Sequence, residues 1–319
     1  MRARALWVTG PARAEIREET LPTPGGSQVL VRTLATGISR GTERLVFENH
    51  VPPSQWQHMR APLQGGEFPA PVKYGYAAVG TLAGGQRVFC LHPHQDLFLA
   101  PREMCSPVPD AVPAHRAVLA ANMETALNIL WDAAPLAGER VLVVGGGVVG
   151  LLAAWLLARI PGTVVTVVDT DARRQDVARQ LGARFALPED APGDQELVVH
   201  ASASAAGLRR ALSCAGFEAR ILEASWHGDA EVGLPLGEAF HAKRLRLLST
   251  QVGAVSPAMR GRRSHAERMA LALSLLDAPV LDALCGPTLR FDDLPARYAA
   301  LLGPAAPGEA APLCPVVTY

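Results

Sequence analysis

The chain has 319 residues, of which 49% are hydrophobic and 19% charged, and 30 basic residues balance 30 acidic ones. This length favours two domains, and the composition supports a sizeable core and excludes an intrinsically disordered chain. A neutral chain with no long basic run excludes nucleic acid and anionic membranes as electrostatic partners.

The first residues of the chain and the spacing of its cysteines indicate in which cellular compartment the protein is expected. Met1–Val8 is charged and leads into polar, acidic sequence, without the apolar core of a signal peptide. No pair of cysteines has CxxC spacing, so neither a disulfide framework nor a cysteine-rich zinc site is predicted. The scattered cysteines are Cys90, Cys105, Cys214, Cys285 and Cys314. We therefore expect a cytoplasmic protein.

The first 120 residues have the pattern of a β-rich domain. Short strands such as Val29–Thr33 and Arg87–Leu91 alternate with turns that are rich in proline and glycine. No helix of any length is predicted before about His115. Ala114–Ala133 then has helical spacing, and the segment Asp132–Gly138 ends it.

From residue 140 onward strands and helices alternate, which predicts βαβ units and a parallel sheet. The predicted strands are Arg140–Val144, Thr163–Val168, Glu196–His200 and Glu218–Ala224, and the predicted helices are Val148–Arg159, Ala172–Leu181 and Ser204–Cys214. Val141–Ile160 has the length of a membrane span, but three consecutive glycines interrupt it, so strand, turn and helix fit it better. After about Gly253 the alternation ends, and a helix over Ser264–Leu276 and the strand-like Pro315–Tyr319 follow.

The segment Gly145–Gly150 matches GxGxxG, follows a buried strand directly and opens an apolar helix. In this context Gly145 permits a tight turn, Gly147 lets the backbone approach a pyrophosphate, and Gly150 lets helix and strand pack closely. The segment therefore predicts a dinucleotide-binding site. A glycine-rich turn in an unrelated parallel fold is the alternative interpretation.

Further residues follow from the chemistry of a dinucleotide. Val148 and Val149 are the first residues of the predicted helix. Their unpaired N–H groups and the partial positive charge of the helix N-terminus attract the pyrophosphate. Asp169 ends the next predicted strand, where its carboxylate would bind both ribose hydroxyls and repel a 2′-phosphate. NAD(H) is therefore predicted over NADP(H). Arg173 and Arg174 weaken this preference, because an arginine can hold the extra phosphate.

Together with the glycine motif, segments along nearly the whole chain resemble the medium-chain dehydrogenase/reductase superfamily. They are Pro22–Arg32, Ala35–Ser39, Gly75–Gly80 and Gly85–Val88. The resemblance implies an α/β chain: a GroES-like β-rich catalytic domain over 1–121, completed by 254–319, and a doubly wound parallel Rossmann domain over 122–253. Within the superfamily, Gly37–Glu43 is similar to the branch that contains bacteriochlorophyllide hydroxyethyl dehydrogenase.

Three positions depart from the zinc-dependent members of that superfamily. Where those members hold a catalytic zinc, this chain has Ser39 or Arg40, Tyr76, and Ala121 with Glu124 close by, and the four-cysteine structural zinc lobe is missing. A catalytic zinc needs three N, S or O ligands and an open position. No metal ligand is therefore predicted, and zinc is not expected as a cofactor.

The resemblance also implies further cofactor contacts. Thr125 corresponds to a threonine that packs on the nicotinamide, and Arg40 to a basic residue that meets the pyrophosphate in some relatives. The ends of strands commonly line the cofactor crevice of a doubly wound sheet. This adds Ala201, Ser202 and the segment Ser225–His227.

Without zinc, a side chain or an ordered water must protonate the alkoxide that forms when a carbonyl is reduced. Tyr76 is the first candidate because it replaces a zinc ligand, and filling the volume of the metal is the alternative. Lys73 either lowers the pKa of that tyrosine or is a solvated loop lysine. Thr42 stands where relatives keep a hydroxyl for proton relay, beside Glu43, for which a buried, hydrogen-bonded role is the alternative.

His94 is the third catalytic candidate. It lies in His92–His94, after a strand where relatives place pocket residues, and a histidine can act as acid or base near neutral pH. Pocket lining, a surface loop and a metal site without a convincing third ligand are the alternatives. Residues 44–74 are long for a loop between family motifs, and they predict a substrate pocket, a dimer contact or a core patch.

The sequence thus predicts a zinc-independent oxidoreductase that transfers a hydride between NAD(H) and an alcohol or carbonyl substrate bound in the cleft between the domains. One alternative is an enoyl- or quinone-type reductase that uses NAD(P)H to reduce a C=C bond. The other is a dinucleotide-binding protein without catalysis. The expected partners are a small-molecule substrate and, by family analogy, a second copy in a homodimer, with no nucleic acid and no membrane.

Overall fold

A computed structural model describes residues 1–305 and 308–319, and these form two compact units. The β unit comprises Met1–Ala121 and Met269–Tyr319, and the Rossmann unit comprises Asn122–Arg268. The predicted α/β class is confirmed, because a parallel sheet with helices occupies the second unit and antiparallel sheets dominate the first.

In chain order the strands are β1 (Arg2–Gly10), β2 (Arg13–Thr20), β3 (Gln28–Gly37), β4 (Gly65–Gly66), β5 (Val72–Lys73), β6 (Ala78–Thr81), β7 (Arg87–Cys90), β8 (Leu97–Pro101), β9 (Ser106–Pro107), β10 (Arg140–Val144), β11 (Val164–Val168), β12 (Arg184–Ala186), β13 (Gln195–His200), β14 (Ala215–Glu223), β15 (Arg246–Ser249), β16 (Cys285–Arg290) and β17 (Cys314–Thr318). The α-helices are α1 (Arg40–Phe47), α2 (Ala114–Ala117), α3 (Ala120–Ala133), α4 (Val148–Leu157), α5 (Gln175–Gln180), α6 (Ala205–Cys214), α7 (His265–Leu275) and α8 (Leu294–Leu302). Short helical turns cover Pro53–Gln55, Arg102–Met104, Ala172–Arg174, Pro188–Asp190, Leu236–Phe240, Pro279–Leu284 and Phe291–Asp293.

Strand β3 organises the β unit. It pairs antiparallel with β6, β8 and β17, within a sheet of order β16-β17-β3-β6-β7-β9, and a second sheet has the order β2-β1-β5-β4. Alternate side chains of these strands point to one face, and there Val31, Ala78, Val88 and Phe98 form a buried core. The two sheets fix the positions of the segments after β3, β5 and β7, from which the candidate catalytic residues Thr42, Tyr76 and His94 come.

The Rossmann unit contains a six-stranded parallel sheet of order β12-β11-β10-β13-β14-β15. Residues Val141–Val144 of its central strand are buried on both faces, as the continuous apolar run predicts. The four predicted strands and the helices that alternate with them are confirmed. β12 and β15 are added at the two edges, where three- and four-residue strands give little sequence signal.

Helix α1 corrects the prediction that no helix precedes His115. It spans eight residues, too few for an apolar periodicity to stand out, and it follows Ser39 directly. The N–H of Ser39 donates to the Glu43 carboxylate at 2.7 Å, which gives the helix start a partner that sequence alone did not indicate. The helix carries Arg40, Thr42 and Glu43, which the sequence analysis singles out.

The Rossmann unit also ends later than the predicted residue 253. Its last residue is Arg268, whose guanidinium donates to the Glu124 carboxylate at 3.0 Å and to the carbonyl of Ala254 at 3.2 Å. These bonds attach the segment after residue 253 to α3. Both limits of the unit therefore fall inside helices, one near the start of α3 and the other in α7.

Membrane spanning was one interpretation of Val141–Ile160. That segment forms β10, the glycine turn and α4 instead. Across 1–305 and 308–319, the helices are all too short or too polar to pass through a lipid bilayer.

Candidate active site

The glycine turn between β10 and α4 has tight contacts at two of its glycines. Gly145 has φ +115°, and a Cβ there would lie 2.7 Å from the backbone of Ala201. A Cβ at Gly150 would lie 2.0 Å from the carbonyl oxygen of Gly145. At Gly147, by contrast, a Cβ would meet no described atom within 4 Å, so the space beside the start of α4 is open to a ligand. The turn therefore has the shape that a bound pyrophosphate requires.

Asp169 is held against this turn. The N–H of Gly146 donates to its Oδ2 at 2.6 Å, and the N–H of Asp171 donates to its Oδ1 at 2.8 Å. Each carboxylate oxygen accepts at more than one lone pair, so the side chain keeps acceptor capacity for two hydroxyls. The residue is thus oriented before any ribose arrives.

The two arginines near Asp169 are engaged by another acid. Arg173 donates to the Asp171 carboxylate at 2.6 Å and 3.2 Å, and the Nε of Arg174 lies 4.0 Å from the same group. The Arg173 guanidinium, with burial opposing it and Arg174 assisting, holds the pKa of Asp171 below its usual range. The positive charge that would favour a 2′-phosphate is therefore partly neutralised.

Ser202 belongs to a hydrogen-bonded chain at the ends of two neighbouring strands. Its Oγ lies 2.7 Å from Nε2 of His200, whose Nδ1 lies 2.7 Å from the Glu223 carboxylate. Ser202 follows Ala201, which borders the glycine turn, so the structure places Ser202 near the predicted pyrophosphate site. Thr125 lies half-buried in α3 of the same unit.

Tyr76 and Thr42 lie together in the β unit. The hydroxyl of Tyr76 donates to Oγ of Ser39 at 2.6 Å and also contacts the hydroxyl of Thr42. Burial raises the pKa of Tyr76 to about 12, although both hydroxyl contacts oppose the shift. The phenol is therefore neutral at physiological pH and can donate a proton or a hydrogen bond. Two of the three predicted catalytic residues are thus in contact.

The third, His94, lies in a buried network beside them. Its Nε2 is 3.0 Å from Oε2 of Glu43, and its Nδ1 is 2.6 Å from the hydroxyl of Thr36. The same Glu43 oxygen accepts a hydrogen bond from Tyr298 at 2.7 Å. Both ring nitrogens of His94 are thus hydrogen-bonded, one to Glu43 and the other to Thr36. Since His94 is 1% exposed, it orients Glu43 in this structure.

The neighbouring His92 is also buried. Its ring stacks on Phe98 with centroids 3.7 Å apart, and its Nδ1 lies 3.0 Å from the carbonyl of Pro93. Burial, opposed by that carbonyl, lowers the pKa of His92 to about 3, so the ring is neutral near pH 7. The surface-loop interpretation of His92–His94 is wrong.

Arg40 has a structural partner. Its Nε donates to the carbonyl of Leu301 at 2.6 Å, and its Nη2 donates to Gly303 at 2.7 Å. These carbonyls are at the carboxyl end of α8, where unpaired acceptors and partial negative charge attract a cation. The predicted pyrophosphate contact of Arg40 stays a prediction.

Lys73 follows neither of its two interpretations. Its Nζ binds the Glu19 carboxylate at 2.7 Å and the Gln95 side chain at 2.8 Å, and its side chain is only 12% exposed. It is therefore not a solvated loop lysine, and the pKa of Tyr76 is raised rather than lowered. Lys73 and Leu63 are the members of 44–74 that line a cavity of about 270 Å³ in the β unit.

The positions that hold zinc in zinc-dependent relatives have other contacts here. Ser39 and Tyr76 share a hydrogen bond, and Glu124 is buried in an ion pair with Arg268 at 3.0 Å. Two hydroxyls and the methyl group of Ala121 do not make a zinc donor set, because a neutral phenol and a serine hydroxyl are poor ligands. The residues present do not fit a catalytic zinc.

The sequence interpretation did not bring together His200, Glu223 and His227. His200 ends β13, Glu223 ends β14, and His227 lies four residues later, with one donor atom of each within 4.8 Å of the others. The signal was present in part, because polar residues at the carboxyl ends of adjacent parallel strands meet at one edge. On that ground the sequence nominated Ala201, Ser202 and Ser225–His227, but neither His200 nor Glu223.

Comparisons with known proteins agree with this architecture. The family described as Alanine dehydrogenase/PNT, C-terminal domain, matches residues 119–214. An uncharacterized zinc-type alcohol dehydrogenase-like protein of Haemophilus influenzae is 28% identical over 144 residues, which cover 41% of this chain and 42% of that protein. Bovine sorbitol dehydrogenase is 24% identical over 236 residues, covering 60% of this chain and 62% of the enzyme.

A solved structure matches the fold along the entire chain. It is a putative zinc-binding dehydrogenase from Sinorhizobium meliloti 1021 bound to NADP, with a TM-score of 0.79, 18% identity and 100% coverage of both chains. The matched regions span less than two thirds of the two curated relatives. The fold is thus shared over the full length of a dehydrogenase, with a GroES-like β unit and a Rossmann unit in the same order. The chain has the fold of the medium-chain dehydrogenase/reductase superfamily.

Proposed function

We propose that this protein is an oxidoreductase that binds NAD(H) at the turn between β10 and α4 and acts on an alcohol or carbonyl compound without a catalytic zinc. The observation that carries the proposal is the turn itself. Gly150 packs so closely on Gly145 that no side chain fits, Gly147 faces open space, and Asp169 is anchored to the N–H of Gly146. The nicotinamide ring of a dinucleotide whose pyrophosphate binds at this turn would supply or accept the hydride.

The preference for NAD(H) rests on Asp169 and on its neighbours. A carboxylate repels a 2′-phosphate, and Arg173 is already paired with Asp171. One solved structure of this fold is bound to NADP and another to NADH, so the fold alone does not set the choice and we assign it to these side chains.

Tyr76 is the proposed proton donor. Its neutral hydroxyl is hydrogen-bonded to Ser39 and Thr42, which offer a path for a replacement proton. Glu43 fixes the backbone of Ser39 through the 2.7 Å bond from its N–H, and His94 fixes Glu43. We therefore assign Tyr76 and Thr42 to the chemistry and His94 to the positioning of that segment.

Calorimetric titration with NADH, NADPH and their oxidised forms tests the binding step. We expect NADH to bind more tightly than NADPH. Asp169→Ala should weaken NADH binding by about tenfold or more, because hydrogen bonds to a charged group contribute roughly 1.5–3 kcal/mol. Gly150→Ala should abolish binding, since its Cβ would lie 2.0 Å from the carbonyl of Gly145.

The matched control is Gly193→Ala in the same unit, where a Cβ meets nothing within 4 Å, and it should bind NADH as the wild type does. Absence of heat with all four dinucleotides, or unchanged affinity in Asp169→Ala, would contradict the proposal. Panels of ketones and enones, assayed after dialysis against a chelator, then separate C=O from C=C reduction. Loss of turnover on chelation in Glu223→Gln, which lacks a donor of the His200, Glu223 and His227 cluster, would contradict zinc-independent chemistry.

A further inference from the structure

Two histidines and a carboxylate come together at one edge of the Rossmann sheet. Nδ1 of His200 lies 2.7 Å from Oε2 of Glu223, and Nε2 of His227 lies 3.5 Å from the same oxygen. One donor atom from each residue lies within 4.8 Å of the other two. We propose that His200, Glu223 and His227 bind a divalent transition-metal ion of the zinc type.

The donor set suits that chemistry. Two imidazole nitrogens and one carboxylate oxygen are ligands that Zn²⁺ uses when a fourth position stays open. With bonds of about 2.0–2.2 Å in a tetrahedron, donors around one ion lie roughly 3.3–3.6 Å apart. The His227–Glu223 distance of 3.5 Å already has this value. The His200–Glu223 distance of 2.7 Å is that of a hydrogen bond, whose proton the metal would displace.

His227 provides an independent observation. Its Nε2 is buried and has no hydrogen-bond partner among the residues that the structure describes. Buried polar nitrogens are normally paired, so this atom indicates a partner still to be supplied. The same nitrogen is the one that faces the Glu223 oxygen.

The surrounding groups already orient two of the ligands. Nε2 of His200 lies 2.7 Å from Oγ of Ser202, and the N–H of Ser225 donates to Oε1 of Glu223 at 2.7 Å. A metal-bound histidine almost always donates its other ring N–H to an acceptor, and ligating carboxylates are themselves hydrogen-bonded. Both outer contacts are thus in place when Nδ1 of His200 and Oε2 of Glu223 face the ion.

The proposed ligands are not the residues at the catalytic zinc positions of the superfamily. They come from β13, β14 and the loop after β14, and none is at Ser39, Tyr76 or Ala121, the positions that hold zinc in zinc-dependent relatives. The ion would link the ends of β13 and β14 to the loop after β14. These strand ends lie beside Ala201 and Ser202, which border the glycine turn.

The test is a calorimetric titration of the untagged, chelator-treated full chain with Zn²⁺, followed by Co²⁺ as a spectroscopic probe. We expect one ion per chain, with visible Co²⁺ absorption typical of a tetrahedral site. Losing an outer-shell contact costs about 10- to 100-fold in metal affinity, so removing a ligand in His227→Ala or Glu223→Gln should cost at least about 100-fold. His241→Ala, which removes an exposed histidine of the same unit, should bind as the wild type does.

Folding of each variant is checked by metal-free thermal melting, and His227→Asn replaces His227→Ala if the latter does not fold. Absence of saturable binding, or wild-type affinity in a folded His227 variant, would overturn the proposal. The two proposals can fail independently. Asp169→Ala should bind Zn²⁺ as tightly as the wild type does, and the metal-free wild type should still bind NADH.

Discussion

Tyr76 shows how the surroundings of one hydroxyl set its chemistry. The side chain is only partly buried, yet its hydroxyl end is enclosed enough to raise the pKa to about 12. The Tyr76 hydroxyl donates a hydrogen bond of 2.6 Å to Oγ of Ser39. A tyrosine with these contacts is a donor over the whole physiological range, so no ionisation of its own limits activity near neutral pH.

Replacing Tyr76 by phenylalanine removes only the hydroxyl. We expect kcat for carbonyl reduction to fall about 100-fold, since a positioned proton donor contributes roughly 10²–10⁴. The affinity for NADH, measured by calorimetry, should not change. Tyr74→Phe, whose ring packs edge-on to that of Tyr76 with centroids 6.1 Å apart, is the control and should keep kcat. Equal turnover in wild type and Tyr76→Phe would remove Tyr76 from the mechanism.

The candidate site was only partly predictable from sequence at this scale. The tight turn at Gly145 and Gly150 could be predicted, because the spacing of the motif sets its geometry directly, and the same motif gives the prediction that Asp169 binds the ribose. The partners of Lys73, His94 and Arg40 could not, because each lies far away in sequence and depends on how strands pair. Glu19 and Lys73, for instance, meet only because β1 pairs with both β2 and β5.

Among the elements, those of the Rossmann unit were predicted best. Long apolar strands bounded by glycine have a strong pattern, and β10 and β11 lie within a residue of their predicted limits. Helix α1 and strand β15 were missed, because elements of eight residues or fewer with mixed polarity give no clear period. The limit at Arg268 was missed because it is set by tertiary bonds.

Arg268 gives a prediction about α3 and α7. Its guanidinium is 1% exposed and binds Glu124 at 3.0 Å and the Asn128 side chain at 2.7 Å. Arg268→Met would leave the buried Glu124 charge unpaired, so we expect the free energy of unfolding to fall by about 3–5 kcal/mol in urea titrations.

The double variant Glu124→Gln with Arg268→Met should lose less stability than Arg268→Met alone, because no unpaired charge remains. Arg262→Ala, which alters an exposed arginine, should change little. If Arg268→Met were as stable as Arg262→Ala, the ion pair would not hold the segment after residue 253.

At the scale of the whole molecule, ionisation of the tyrosines reports on the folding of the β unit. The sequence has four, Tyr74, Tyr76, Tyr298 and Tyr319, and all belong to the β unit. Burial raises the pKa of each above its usual value of 10, to about 12 for Tyr76. Because the folded-state pKa values are raised, this contribution to stability is complete below pH 10, and the part due to Tyr76 is lost as the pH rises from 10 through about 12.

We therefore expect phenolate absorbance in the folded protein to appear only above about pH 11, together with unfolding of the β unit. In urea the same absorbance should titrate near pH 10. The measurement is a spectrophotometric pH titration with circular dichroism recorded in parallel. Phenolate formation near pH 10 in a folded chain would contradict the burial of these hydroxyls.

The placement of both unit limits within helices has a practical consequence for dissection. A fragment cut at residues 122 and 268 would begin two residues after α3 starts and stop inside α7, so each cut would sever helical hydrogen bonds and leave amides and carbonyls without partners. A separately expressed nucleotide-binding fragment needs the complete helices Ala120–Ala133 and His265–Leu275. Trimming at the sequence-based limit of 253 would also remove Arg268. The buried carboxylate of Glu124 would then lose its ion-pair partner.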